Sequence, residues 1–222
     1  MTKRLGAVFQ NRINRINELI LFDKSLNVEA TYFVGMANEL SLSYSKKEAK
    51  KIIKLIQKNN LEVGVHGIAW DNKPLMIKEY EQFKELSGKE NFGIRNHYLR
   101  KNDNTFDYMS EIGYSFDSTD IGLKNPEKIG KMIEFPVGIM DVDILALDSI
   151  DFEKVKAKTI SVFAEAKNRK LDYFTVIFHD NYFSAHYPLH LKWYKWLIFW
   201  VAEQGHEFVS FKSAVAQLNK SE

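Results

Sequence analysis

The sequence contains no cysteine. That excludes a disulfide framework, a thiolate metal site and a cysteine nucleophile. Proline is scarce: Pro74, Pro126, Pro136 and Pro188 are the four, and they are scattered. No Ser/Gly/Pro-rich linker divides the chain, so 222 residues read as a single domain, 1–222. Neither sign of charge dominates. The 31 basic and 29 acidic residues leave a net charge of +2, which gives no electrostatic case for a nucleic-acid partner. Long hydrophobic runs are missing as well. The longest, Trp196 to Ala202, is too short to span a bilayer. Lys3 and Arg4 precede only a brief apolar stretch before Gln10, a poor signal peptide, and the chain reads as cytoplasmic.

What is present is an aromatic-rich globule, 45% hydrophobic with 14% aromatic residues. Strand-length apolar runs recur at 29–34, 61–66, 92–97, 114–118, 132–137, 173–179 and 207–211. Helical patterns lie between most of them. Ser45 and Glu48 form a capping box ahead of Ile52, Ile53, Leu55 and Ile56. Residues 151–167 and 189–204 carry mixed three- and four-residue apolar spacings, the latter stopped by Gly205. Ile13, Ile16 and Ile20 form a further stripe. Alternation of this kind predicts an α/β fold with a mainly parallel sheet, either a barrel or a doubly wound sheet.

Polar residues gather where these strands end. His66 closes 61–66, Arg95 and His97 close 92–97, and Asp117 and Asp120 close the fourth run. Asp141 and Asp143 follow the fifth, and His179 and Asp180 end 173–180. In barrels and open α/β sheets this end carries the active site. The pattern predicts that His66, Arg95, Asp117, Asp141 and His179 converge on one cleft. Imidazoles and carboxylates at one rim suit a divalent metal such as zinc, or equally a metal-free sugar cleft. Arg95 and Asp117 are also natural ion-pair mates. His186, His190 and His206 read as loop or surface residues. Trp193, Trp196 and Trp200 share one helix face, suited to core packing or a subunit contact. The lysines from Lys46 to Lys54 read as a solvated face.

Several segments resemble the polysaccharide deacetylase (NodB-homology, carbohydrate esterase family four) superfamily. Ala30-Thr31-Tyr32-Phe33-Val34 is similar to its Ala-Thr-Phe-Phe-Val strand. The 61–66 run resembles the strand of its first metal-binding histidine, and Gly93-Ile94-Arg95-Asn96-His97-Tyr98 its arginine motif. Gly113-Tyr114-Ser115-Phe116-Asp117-Ser118, Glu134-Phe135-Pro136 and Phe178-His179-Asp180 resemble later motifs in the right order. Gly93 to Arg100 and Met140-Asp141 look most like a branch linked to bacterial surface-polysaccharide clusters. The resemblance implies a distorted (β/α)7-type barrel and hydrolysis of an N- or O-acetyl group on a sugar or polysaccharide. It implies a metal on His66 and His97, with His179, Arg95, Asp141 and Asp117 as catalytic residues. Tyr98, Trp70 and Asp180 would bind substrate.

The sequence departs from the family at two places. No acidic residue occurs before Glu18, where the family carries paired aspartates; Gln10 and Asn11 stand nearest by position. Trp70 stands where a second metal histidine belongs. Residues 1–28 therefore read as divergent or truncated, with Ala7-Val8-Phe9 as a candidate replacement strand. A homo-oligomer is another way to close such a gap. Three functions stay open: a metal-dependent sugar deacetylase, a catalytically silent relative that binds a saccharide or nucleotide-sugar, and a partner protein anchored through its tryptophans.

Overall fold

A computed structural model describes residues 14–36, 45–145 and 151–221. The expectations for Gln10, Asn11, Ile13 and the 7–9 strand lie outside the described residues. The chain forms two compact units, one of residues 1–28 and 137–208, the other of residues 29–136 and 209–222.

The second unit is built on a six-stranded sheet. Its strands are β1 (Thr31–Val34), β2 (Glu62–Gly67), β3 (Ile94–Asn96), β4 (Phe116–Asp117), β5 (Glu127–Ile129) and β6 (Met132–Glu134). The order is β1-β2-β3-β4-β6-β5, parallel except for β5 against β6. Gly130 and Lys131 link β5 to β6, and Gly130 has φ +59°, which glycine adopts without steric cost. Helices α2 (Lys46–Lys58), α3 (Lys73–Ser87), α4 (Thr105–Ile112) and α8 (Phe211–Ser221) accompany these strands. The capping box of α2 forms as expected: Ser45 accepts the Glu48 N–H while Glu48 accepts the Ser45 N–H at 2.7 Å. Asn72 caps α3, with Pro74 in its first turn where a missing N–H costs nothing. Ile53, Ile56, Phe83, Phe92, Ile94 and Phe116 are completely or almost completely buried.

The first unit contains α1 (Ile16–Ser25), β7 (Val137–Met140), α5 (Asp141–Ile144), α6 (Phe152–Asn168), β8 (Thr175–Ile177) and α7 (Pro188–Glu203). Its two strands pair in parallel. Helix α7 buries Trp193, Tyr194, Leu197, Ile198 and Val201. Two of the inward groups are polar and partnered: Trp193 Nε1–H donates to Thr159 at 3.0 Å, and the Tyr194 hydroxyl donates to Asp23 at 2.8 Å. Among the described residues, no helix is long and apolar enough to cross a membrane.

The α/β class and mainly parallel sheet expected from the sequence are present. Two strand expectations need correction. The 132–137 run is not one strand. Phe135 and Pro136 interrupt it, and β6 and β7 belong to different sheets. A proline offers no N–H to a ladder, so the break falls where the chemistry requires one. The 207–211 run is not a strand: 206–210 is irregular and leads into α8. There Phe211 N–H donates to Thr31 and Lys212 N–H to Glu62, so side chains of β1 and β2 satisfy the open N-terminus of α8.

Gly93 shows how closely the second unit is packed. A Cβ at this position would lie 2.2 Å from a ring carbon of Phe116, itself buried. Gly93→Ala is expected to destabilise the protein by about 1–3 kcal/mol through overpacking. A urea titration checks this, and an unchanged midpoint would show that Phe116 has room to move.

Candidate active-site residues

In the second unit, strand register sets the neighbours. His66 is aligned with Arg95 across β2 and β3, and Asp117 with Glu134 across β4 and β6. Aligned residues on parallel strands point to the same face, so the strand-end motifs are placed side by side by the ladder itself.

Arg95 is buried, and its guanidinium lies 4.5 Å from the Phe33 ring centre and 5.6 Å from that of Phe211. Its Nε donates to the Ser118 carbonyl at 3.0 Å and an Nη to the Ser118 hydroxyl at 2.8 Å. Burial pulls the guanidinium down to about 10, while Asp117 and Glu134 hold it charged. Asp117 is fully buried and accepts the Thr119 N–H at 3.0 Å and hydroxyl at 2.7 Å. Glu134 accepts the Asp120 N–H at 2.9 Å. Burial, followed by the adjacent Asp117 carboxylate, pushes Glu134 well above the ordinary carboxylate range. Burial raises Asp117 as well, opposed by its hydrogen bonds from Glu134, Thr119 and Ser118, so the two carboxyls titrate together as a pair. Arg95 hydrogen-bonds Ser118 rather than Asp117, so the expected Arg95–Asp117 pairing amounts to charge attraction without a direct ion pair. In the sequence Glu134 stands out only as part of Glu134-Phe135-Pro136.

His66 and His97 are brought together. His66 Nδ1 is 3.1 Å from the Arg95 carbonyl, which can only accept, so Nδ1 carries the hydrogen. His66 Nε2 then presents a lone pair, and His97 Nδ1–H, 2.9 Å away, donates to it. An imidazole whose Nδ1–H is held by a carbonyl is oriented as metal-ligating histidines are. Its lone pair, however, is already taken by His97. Among the described residues no group of three His, Asp or Glu side chains is placed to hold a metal. A zinc centre needs at least three protein ligands, so the described residues do not fit one.

Tyr98 follows in a left-handed conformation, φ +58°, as does Leu99 at +53°, both uncommon for residues with a side chain. The turn leaves Tyr98 74% exposed, with its ring 4.0 Å from that of His97 and the Arg100 guanidinium 5.2 Å away. Trp70 is half-buried, and its carbonyl accepts the Thr105 hydroxyl at 3.0 Å. Asp120 is engaged by Lys101 and by Lys124 at 2.9 Å. Burial opposes its charge, but these bonds win and lower it to about 2.

Glu79, on α3, was not expected. It is fully buried and accepts the Ile68 N–H at 3.0 Å and the Ala69 N–H at 3.2 Å, which fixes the turn just after His66. Burial outweighs these bonds and raises its carboxyl to about 7. Its only sequence signal was an acid at an apolar-facing position of a helix between two strands.

In the first unit the structure pairs Asp141 with His179. Asp141, at the start of α5, is fully buried. It accepts the Val142 N–H at 2.7 Å, the His179 N–H at 2.6 Å and the His179 Nδ1–H at 2.8 Å. An ionised carboxylate only accepts, so Nδ1 of His179 is protonated and Nε2 is the nitrogen that exchanges a proton. The imidazole side chain is 44% exposed while its partner is sealed. His190, expected to be a surface residue, lies close enough to feel both. Burial lowers its proton affinity, Asp141 raises it and His179 lowers it. Its ring stacks on Tyr182 at 4.1 Å. Asp180 is half-buried and accepts the Arg15 N–H at 3.3 Å; Asp143 is exposed.

Two outcomes follow. Glu79 binds its proton more tightly folded than unfolded, so its contribution is lost as pH rises from 4.5 to about 7. The loss is at most about 3 kcal/mol, and Glu134 acts in the same direction. Glu79→Gln keeps an acceptor for the two N–H groups and cannot ionise. Its melting temperature should fall less than that of the wild type over this interval, and parallel curves would rule the account out. Second, nitrogen-15 NMR of the histidine rings should find both His66 and His97, when neutral, protonated at Nδ1. A hydrogen on His66 Nε2 would reverse the assignment.

No protein-family model matches the sequence, and no curated protein matches it. Solved structures do. A crystal structure described as a "putative polysaccharide deacetylase" from Mycobacterium smegmatis aligns with 95% of this chain and 78% of that one, at a TM-score of 0.72 and 14% identity. A second, described as a "putative polysaccharide deacetylase" involved in O-antigen biosynthesis in Bordetella bronchiseptica, aligns with 60% of this chain and 58% of that one. Its TM-score is 0.37 at 19% identity, too low to carry an argument. The first match, at that identity, speaks to the fold alone: this chain shares the fold of that crystal structure.

Proposed function

We propose that the protein removes acetyl groups from a saccharide, with His179 as the group that carries the proton. The observation behind this reading is the Asp141–His179 pair. A buried carboxylate fixes the tautomer and stabilises the imidazolium, and a part-exposed imidazole offers Nε2 for exchange. Protonating the departing amine or alkoxide of an acetylated sugar is a task for such a group. Considered by itself, the other unit carries in Tyr98 an exposed aromatic face of the kind sugars stack on. The bacterial surface-polysaccharide context and the deacetylase barrel suggested by the motifs belong to the same reading. The described residues do not fit a metal centre, so no step is routed through zinc.

A specific contact favours a second reading, a saccharide-binding relative without catalysis. The His66 lone pair that the family would give to a metal is occupied by His97 Nδ1–H.

Acetate release from N-acetylglucosamine oligomers and O-acetylated xylan separates the two, measured with and without added divalent metal. The deacetylase reading expects release that falls about 100-fold or more in His179→Ala and about 1000-fold or more in Asp141→Asn, which leaves the wrong tautomer in place. Release that is indifferent to both substitutions would sink the role of His179. Oligomer binding without release, weakened by Tyr98→Ala, would establish the second reading.

A further inference from the structure

Helix α7 has a second face that the proposed chemistry does not use. Its inner face is packed, as described. Its outer face carries Lys192, Lys195, Trp196, Phe199 and Trp200, spaced so that all fall on one side of the helix. Phe199 is 52% exposed, and Ile160 of the neighbouring helix α6 is 43% exposed. Trp196 and Trp200 are half-buried and stacked, with ring centres 5.5 Å apart. Phe152 meets Trp196 edge-on, and Phe163 meets Trp200 likewise. These are large rings held in place by one another rather than loose side chains.

The charge around them has one sign on α7. The helix holds no acidic residue before Glu203. Lys192 Nζ sits 4.0 Å above the Phe152 ring, and Lys195 is exposed, its Nζ 5.7 Å from the Phe22 and Phe183 rings. On α6, Lys156 also leans over Phe152 and is paired with Glu153 at 2.6 Å. A cationic rim around tryptophan and phenylalanine argues against a symmetric contact with a second copy, which would set Lys192 and Lys195 against like charges. It matches an anionic lipid surface. There indole and phenyl rings sit at the headgroup level and lysines meet lipid phosphates.

We infer that this face of α7 docks on the surface of an anionic bilayer without crossing it. The contact stands apart from the deacetylase reading and holds whether or not the chain releases acetate.

The test uses the full chain with vesicles of phosphatidylcholine alone or mixed with phosphatidylglycerol. Binding is followed by co-sedimentation and by tryptophan emission. Expected are binding to the mixed vesicles, little to the neutral ones, weakening by salt, and a blue shift of emission. Phe199→Ser and the double variant Lys192→Glu/Lys195→Glu should each weaken binding about tenfold. Both change exposed positions, and unchanged melting curves confirm that the variants fold. Absence of vesicle binding, equal binding to both vesicle types, or binding that both variants retain would overturn the inference. So would a dimer in sedimentation that Phe199→Ser dissolves without any vesicle binding. Retention on polyglutamate with no retention on vesicles would point to an acidic protein instead and equally overturn it.

Discussion

A buried guanidinium is costly, and the second unit supplies it with hydrogen bonds and opposite charge. Arg95 sits on a central strand, between aromatic faces, and is buried. A charge in that position needs both hydrogen bonds and a counter-charge. Ser118 provides the first through its carbonyl and hydroxyl, and Asp117 the second. Asp117 in turn is held by Thr119, and burial beside Asp117 raises the Glu134 carboxyl well above the ordinary range. The bonds that solve the electrostatic problem also fix the chain from 118 to 120. Those residues leave the sheet at the carboxyl ends of the strands, where chemistry in α/β folds is carried out.

Two histidine pairings show how environment divides one residue type into different roles. His179 faces a carboxylate, which fixes the hydrogen on Nδ1. His66 faces a backbone carbonyl and a second imidazole, neither of which brings a formal negative charge. The first arrangement suits acid–base work. The second fixes tautomers and geometry, with Glu79 bracing the turn that follows. The resemblance assigned His66 to a metal, and its Nδ1 contact has the form a ligand would need. The difference lies in what occupies the other nitrogen.

Local features were legible in the sequence because they have local causes. The Ser45–Glu48 box requires only four consecutive residues, and Gly205 ends α7 with φ +76°, a conformation few other residues accept. Parallel strands could be located by composition, and their polar ends by where the apolar runs stop. Register could not be read, and register is what sets His66 beside Arg95 and Asp117 beside Glu134. Hence Asp117 was recognised as a partner for Arg95 while Glu134 was not. Glu79 was missed for a related reason. An acid in a helix reads as solvated until the fold shows that two backbone N–H groups await it. Pro136 was visible, but reading 132–137 as one run gave apolar continuity more weight than the missing N–H.

Helix α7 carries this reasoning one step further. Trp193, Trp196 and Trp200 fall within one helical stripe by spacing, yet the structure gives them different environments. Trp193 is sealed and hydrogen-bonded to Thr159, while Trp196 and Trp200 stack on one another at the margin beside exposed Phe199. A helix wrapped in aromatics on both sides is not stabilised equally by both. The inner face removes apolar area from water and holds the unit together. The outer face leaves large rings partly exposed to water, as Phe199 shows. Lysines bordering those rings keep the surface soluble while alone and are the groups that would meet an anionic partner. Composition that appears redundant for folding is therefore better explained by what the face contacts outside the chain.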